Sequence, residues 1–347
     1  MKSALIVIGL AACTPTAPGP APVVPPGVAP TGAREVVFEG MCDASDAVEI
    51  SATRFVVADD EDNLLRVYDA ERGGPPLAAV DVSVAVGLVP EGKKQKMPEL
   101  DLEAASRIGD RAYWLTSHGR DSKARNQPSR FRFFATTVPS DGAPLTVVGT
   151  PYETLLADLL ADPRLAGFGL AAASELPPKA AGGLNLEGMT ATPQGTLLLG
   201  FRNPVPGGRA LLVELLDPGA LIAGGPARFG ELFQLALDGD GVRALTWWRG
   251  RYLVIAGGFG SGGTSRMFAW DRASPPVALP IDLTGYNPEG AFTPEDRDEI
   301  MLLSDDGERV IDGRPCKKLK DPAQRRFRGL WIDPSAQPSG SAIVPAA

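Results

Sequence analysis

Histidine, cysteine and basic charge are all scarce in this chain. It carries a single histidine, His118, and three cysteines, Cys13, Cys42 and Cys316, in 347 residues. One imidazole and no closely spaced cysteine pair exclude the usual zinc centres, which draw on several such ligands at short spacing. The same scarcity leaves His118 as the one side chain with an ordinary pKa near neutrality for acid–base work. A Gly-x-Ser-x-Gly elbow, a His-Glu-x-x-His helix and a complete phosphate-cradling Gly-x-x-x-x-Gly-Lys-Ser/Thr loop are absent from the sequence, so the common hydrolase, metalloprotease and nucleotide-binding signatures are missing. Lys and Arg together number 34 against 42 Asp and Glu, a formal charge of −8. An acidic surface repels phosphate backbones, which argues against nucleic acid as a partner and leaves cations or cationic ligands easier to accommodate.

What the chain has in plenty is glycine and proline, 40 and 33 residues, with a hydrophobic fraction of 44%. That combination supplies a core but divides it into many short elements joined by turns, which favours β structure over a helical bundle. Met1-Lys2 is followed by an apolar run over residues 4–10 and then by Leu10-Ala11-Ala12-Cys13. The run is too short to span a bilayer, which takes about 20 residues, and reads as a cleaved signal. The cysteine after it resembles a bacterial lipobox; a plain secretory signal with an incidental cysteine is the other reading. The expected organisation is therefore a signal peptide over 1–12, a tether over 13–34 starting at a lipidated Cys13, a folded domain over 35–335 and a flexible tail over 336–347. Thr14 in place of an aspartate points, by the same resemblance, to the outer membrane. The tether is rich in Pro, Ala, Gly and Thr, a composition that cannot bury a core. Export into an oxidising compartment permits a Cys42 to Cys316 disulfide, with two free buried thiols as the alternative.

One unit recurs through the folded part. Residues 45–48, 102–105, 186–189, 242–245 and 288–291 each combine a charged residue with small or apolar neighbours. Each is followed by a second apolar run, at 55–58, 113–116, 197–200, 252–255 and 300–303, after a turn that carries glycine or a polar cluster. Third strands are predicted at 65–68, 131–134, 211–214, 267–270 and 328–331, and fourth strands at 80–86, 145–148, 229–237 and 276–281. Units of this size with insertions match propeller blades, and a four-stranded sheet cannot bury both faces unless it stacks on its neighbours. The predicted fold is all-β: a propeller of five blades of four strands, or six if the long interval between 105 and 186 hides another. Residues 152–160 in that interval have apolar spacing that predicts a short helix ending at Asp162-Pro163. The fifth unit lacks a fourth strand, and the orphan run 35–38 can supply it, closing the ring with strands from both termini. Such closure would bring Cys42 and Cys316 together.

In a propeller the start of each innermost strand and the loop between second and third strands open on one face. Asp46, Glu103, Glu187, Arg243 and Glu289 occupy equivalent positions there and are expected to ring the channel mouth, joined by Arg202, Asn203 and Arg120 from the loops. Carboxylates around an axis repel one another unless a cation or guanidinium groups compensate. Calcium is the cation whose oxygen preference suits Glu103, Glu187 and Glu289; a structural salt-bridge ring is the other account. The run Asp59-Asp60-Glu61-Asp62-Asn63 is acidic enough for calcium but lacks the glycine and terminal glutamate of an EF-hand. The expected function is that of a monomeric envelope lipoprotein, held to the membrane by its lipid, that binds a small polar ligand, a divalent cation or another envelope protein at the channel mouth. The alternative is calcium-assisted hydrolysis of phosphate or carboxylic esters with His118 as acid or base.

Residues 116–123 (Thr-Ser-His-Gly-Arg-Asp-Ser-Lys), 185–189 (Asn-Leu-Glu-Gly-Met) and 200–204 (Gly-Phe-Arg-Asn-Pro) resemble those of an uncharacterised family of bacterial propeller proteins. That family is more distantly similar to the esterase-like propellers grouped with phytases. The resemblance runs from about residue 38 to 333 and implies the propeller fold, while the phytase relation would imply calcium and a phosphate-bearing or ester substrate. The few lysines at the proposed mouth depart from a polyphosphate site.

Overall fold

The structure, a computed structural model, describes residues 32–138, 144–260 and 263–335; Cys13, the expected signal peptide and the expected tail from 336 onward lie outside the described residues. Five four-stranded antiparallel sheets form the blades of a propeller. Blade 1 runs through Ala44–Ser51, Arg54–Asp59, Leu64–Asp69 and Ala78–Asp81; blade 2 through Leu102–Ile108, Arg111–Thr116, Phe133–Thr137 and Val147–Tyr152. Asn185–Ala191, Leu197–Asn203, Ala210–Leu216 and Arg228–Leu235 make blade 3, and Gly241–Trp248, Arg251–Gly257, Arg266–Trp270 and Val277–Ala278 make blade 4. Blade 5 takes Pro288–Phe292, Ile300–Ser304 and Arg326–Ile332 from the C-terminal part and its outermost strand, Arg34–Glu39, from the N-terminal part. Each inner strand packs against the next around the axis, including the fifth against the first.

Local chemistry explains the repeats. The hairpin between the inner two strands of blade 4 turns at Arg249-Gly250, both at positive φ (44° and 83°), as a two-residue type I′ turn requires. Apolar side chains from facing blades form five separate cores, one at each blade-to-blade junction. The junction between blades 5 and 1 is aromatic: Phe38 from the N-terminal strand stacks on Phe327 at 4.8 Å and meets Phe55 edge-on at 5.2 Å. Blade packing at the axis is close enough to demand glycine. A Cβ on Gly290 would lie 2.2 Å from the Ser45 carbonyl oxygen of the neighbouring inner strand.

The long interval between blades 2 and 3 holds no sixth blade. It contains the helix Leu155–Ala161, the 3-10 segment Pro163–Phe168 and the short helix Leu170–Ala173, whose Leu155, Leu159, Leu165 and Leu170 cap the core between those blades. The third strand of blade 2 begins at Phe133 rather than 131, because Pro128–Arg130 forms a 3-10 turn just before it. Fourth strands are shorter than predicted in blades 1 and 4, at Ala78–Asp81 and Val277–Ala278. Both are exposed edges, and prolines at 275, 276 and 280 deny blade 4 the ladder donors a longer strand needs.

Ring closure is both hydrogen-bonded and covalent. Arg34–Glu39 pairs antiparallel with Arg326–Ile332, Val37 opposite Arg328. Cys42 and Cys316 are bonded, with Cα atoms 5.8 Å apart.

Candidate functional site at the channel mouth

The same irregularity occurs at the start of all five inner strands. In blade 2 the ladder steps from Leu102, opposite Thr116, to Ala104, opposite Leu115, and leaves Glu103 out of register. Blades 3, 4 and 5 do likewise at Glu187, Arg243 and Glu289, and blade 1 between Ala44 and Ala47. A bulge turns the extra residue out of the pleat. In four blades it aims a charged side chain at the axis, so the glutamates and Arg243 owe their convergence to backbone geometry rather than to loops.

A cavity of about 1070 Å³ opens at this end. Glu103, Glu187 and Glu289 line it with Asp60 and Asp305 from the loops after second strands, Arg202 from the end of a second strand, Asp101 from just before an inner strand, Asn185 from the first position of another, and Lys179 from the segment before blade 3. Five of these carboxylates, at 60, 103, 187, 289 and 305, face two guanidiniums on the floor, Arg202 and the buried Arg243 beneath.

The arginines are committed to one side. Arg202 pairs with Glu187 and is held by the Gly258 carbonyl at 3.0 Å. Arg243 pairs with Glu289, donates to Asn287 Oδ1, and stands 3.8 Å from Glu187. Asn185 donates to Glu187 Oε1 at 2.6 Å, and Asn287 to Asp305 Oδ2 at 3.0 Å. On the other side, Arg130 bridges Asp101 at 2.8 Å, but Glu103 takes no hydrogen bond or ion pair among the described residues. Burial, with Glu187 and Asp101 beside it, pushes the Glu103 carboxyl well above its ordinary range. Asp60 and Asp305 move the same way, burial being the main cause in both. Two acceptors at the floor, Asn185 Oδ1 and Glu187 Oε2, are shielded from solvent and take no hydrogen bond, Glu187 Oε2 facing Arg243 Nε at 3.8 Å.

Several residues expected at the mouth stand elsewhere. Asp46 lies deeper, fully buried, and accepts backbone N–H groups from Ala47 at 2.9 Å, Ala105 at 3.0 Å and Ala291 at 3.0 Å. It staples the inner strand of blade 1 to those of blades 2 and 5. Burial raises its pKa to about 8 against the pull of those three donors. Arg120 turns away to the Ser174 carbonyl at 2.7 Å and to Glu175, tying its loop to the helical insertion. Asn203 acts at one remove: its amide donates to the carbonyls of Pro178 and Ala180 at 2.8 and 2.6 Å, fixing the wall that carries Lys179.

His118 is 1% exposed and lines neither this cavity nor the smaller one, of about 390 Å³, at the opposite end of the channel. Its Nδ1 donates to the Thr116 carbonyl at 2.8 Å, while Nε2 is sealed without a partner. Burial lowers its pKa to about 4, which keeps the ring neutral. No reacting atom can approach it as placed.

Glu103, Glu187 and Glu289 do not gather as a metal shell, since the latter two are spoken for by arginine. Among the described residues one trio of acidic side chains brings its oxygens within 4.8 Å of one another: Asp43, Asp59 and Asp60. Asp43 escaped sequence reasoning because it precedes the repeat. Asp101, Asn185 and Asn287 were missed too, although a polar residue two before each glutamate, as in Asp101-Leu102-Glu103, Asn185-Leu186-Glu187 and Asn287-Pro288-Glu289, is a visible signal.

A family model described as a protein of unknown function, DUF3616, matches residues 146–277, from the outer strand of blade 2 into that of blade 4. No curated protein matches the chain. Similar solved structures include the glutaminyl cyclase of Myxococcus xanthus, at 13% identity over 87% of this chain and 97% of that one, TM-score 0.46. A GH43 β-1,3-galactosidase is similar at 10% identity over 84% and 90%, TM-score 0.48. Neither bears on the chemistry of the channel mouth. The distant similarity to phytase-type propellers is not shown.

Proposed function

We propose that this chain is an exported, lipid-anchored binding protein whose channel mouth takes a small polar ligand bearing a protonated amine and further hydrogen-bond donors. Glu103 carries the reading: a buried carboxylate facing a cavity, in an excess of acid, with no hydrogen-bond donor and no cation within ion-pair distance among the described residues, Arg202 and Lys179 acting on it only from further off. An unpaired buried charge is costly, and a ligand ammonium would relieve that cost while the other carboxylates lining the cavity take its remaining donors. Arg202 and Arg243 hold the opposite wall fixed, so recognition needs little rearrangement. A lipidated Cys13 and the tether after it would present this mouth at the outer-membrane surface. Ester hydrolysis is the weaker reading, because the imidazole it needs is sealed away from the cavity.

Calorimetric titration of the full chain with diamines and amino sugars, alongside their hydroxyl analogues, tests the proposal. The amines are expected to bind, and Glu103→Gln to weaken them about tenfold or more, equivalent to about 1.4 kcal/mol. Equal binding of amine and hydroxyl analogues, or affinity indifferent to Glu103→Gln, would overturn it.

A further inference from the structure

A second acidic site lies at the seam where the ring closes. Asp43 sits on the segment leading into blade 1, immediately after the disulfide-bonded Cys42; Asp59 ends the second strand of that blade and Asp60 begins the loop after it. We propose that Asp43, Asp59 and Asp60 together bind one calcium ion, which ties the chain entering blade 1 to the loop between its second and third strands.

Their oxygens lie within 4.8 Å of one another, the span across an ion that takes each ligand at about 2.3–2.6 Å. Independent of that spacing, two of the three carboxylates lack any partner. Asp43 is 6% exposed, yet its side chain accepts no hydrogen bond and meets no cation within ion-pair distance among the described residues. Asp60 Oδ1 is shielded from solvent and unpartnered. Only Asp59 is partly compensated, by the Glu61 N–H at 2.9 Å and by Arg66 at 3.7 Å. Lys317, whose charge acts on Asp43, is engaged with Glu308 at 2.6 Å and stands 4.0 Å from Glu61. Buried carboxylates so placed must be neutralised by protons or by a cation, and an all-oxygen set without histidine or thiolate suits a hard one.

The surroundings make room for this arrangement. A Cβ on Gly307 would fall on the Asp43 carboxylate, so the glycine leaves the space that carboxylate occupies. The Asp306 N–H donates to the Cys42 carbonyl at 2.9 Å, and the Lys317 N–H to the Gly307 carbonyl at 3.0 Å. An ion here would therefore anchor blade 1 to the same segment that the disulfide and blade 5 already hold.

The full chain, stripped with chelator, is titrated with calcium chloride by calorimetry and by thermal melting. One calcium per chain and a raised melting temperature are expected, since a ligand of the native state stabilises by mass action. Asp43→Asn and Asp60→Asn should each weaken calcium tenfold or more with the circular dichroism spectrum retained. Should Asp43→Asn fail to fold, Asp60→Asn, at the start of a loop, decides alone. Glu103→Gln, which weakens the proposed amine site, acts on Asp60 only through its charge and should still bind one calcium, so the two readings fail separately. No heat and no melting shift at about 10 mM calcium, ten times the weakest dissociation constant of extracellular modules, would overturn the site. So would calcium affinity that survives in Asp60→Asn or disappears in Glu103→Gln.

Discussion

Two acids at equivalent positions of the repeat, Asp46 and Glu103, do opposite work, and their substitutions separate the roles. Asp46→Ala would leave three buried backbone N–H groups unsatisfied at the axis. At about 1–3 kcal/mol for each stranded donor, a loss of at least about 3 kcal/mol is expected in urea melts. Glu103→Gln removes an unpaired buried charge and should leave stability unchanged or slightly higher, though it empties the proposed site of its anion. A large loss in Glu103→Gln with none in Asp46→Ala would reverse the assignment. The pH profile follows from the same groups. Asp46 has a folded pKa above its unfolded value, so its stabilising contribution is present below about pH 4 and is lost as pH rises through about 8. His118 is depressed, so its contribution is present above about pH 6.5 and lost as pH falls through about 4. Between about pH 4 and 6.5 the two slopes oppose each other, and above that only the carboxyls act. In chelator, stability should therefore decline from about pH 6.5 to 8, by at most about 1.4 kcal/mol per pH unit per group. Asp46→Asn should flatten that limb, and an unchanged slope would remove Asp46 from it.

At the scale of elements, the inner three strands of each blade were legible because they are buried on both faces and read as apolar runs spaced by turns. Leu197–Asn203 is buried along its whole length. Outer strands were less legible: Val277–Ala278 is exposed, and its extent is set by neighbouring prolines rather than by a hydrophobic pattern. The charged position of the repeat was visible, but the bulge that aims it was not, since a register shift leaves no mark in composition. That is why Asp46 looked equivalent to the glutamates. One methylene shorter, and opposite two strands whose N–H groups come within 3.0 Å, it is drawn to the backbone instead of the cavity. His118 misled for a related reason: the sequence displays the only imidazole without showing that its φ of 54° turns the chain at that point and that its ring is fully enclosed.

For the whole molecule the decisive feature is that blade 5 is assembled from both ends of the folded chain. A propeller has no unpaired seam only while Arg34–Glu39 stays on Arg326–Ile332; once it leaves, the latter strand becomes a free edge. Four of the contacts that oppose that release are the six-residue ladder, the Phe38 aromatic cluster, the Tyr286 hydroxyl donating to Glu35 at 2.6 Å, and the Cys42 to Cys316 bond. The disulfide spans 274 positions, so reducing it restores a long loop to the unfolded ensemble while leaving the other three contacts intact. A loss of about 2–5 kcal/mol is expected, and it should be the same for reductant as for Cys42→Ala with Cys316→Ala. Because the remaining contacts are confined to the seam, the loss should also be local in its kinetics. Hydrogen exchange should quicken in Arg34–Glu39 and Arg326–Ile332 before it does in Leu197–Asn203, on the far side of the ring. Uniform acceleration across all blades would mean that the propeller opens as one unit and that the seam has no special weakness. Unchanged stability on reduction would mean that the ladder and aromatic cluster suffice to close the ring.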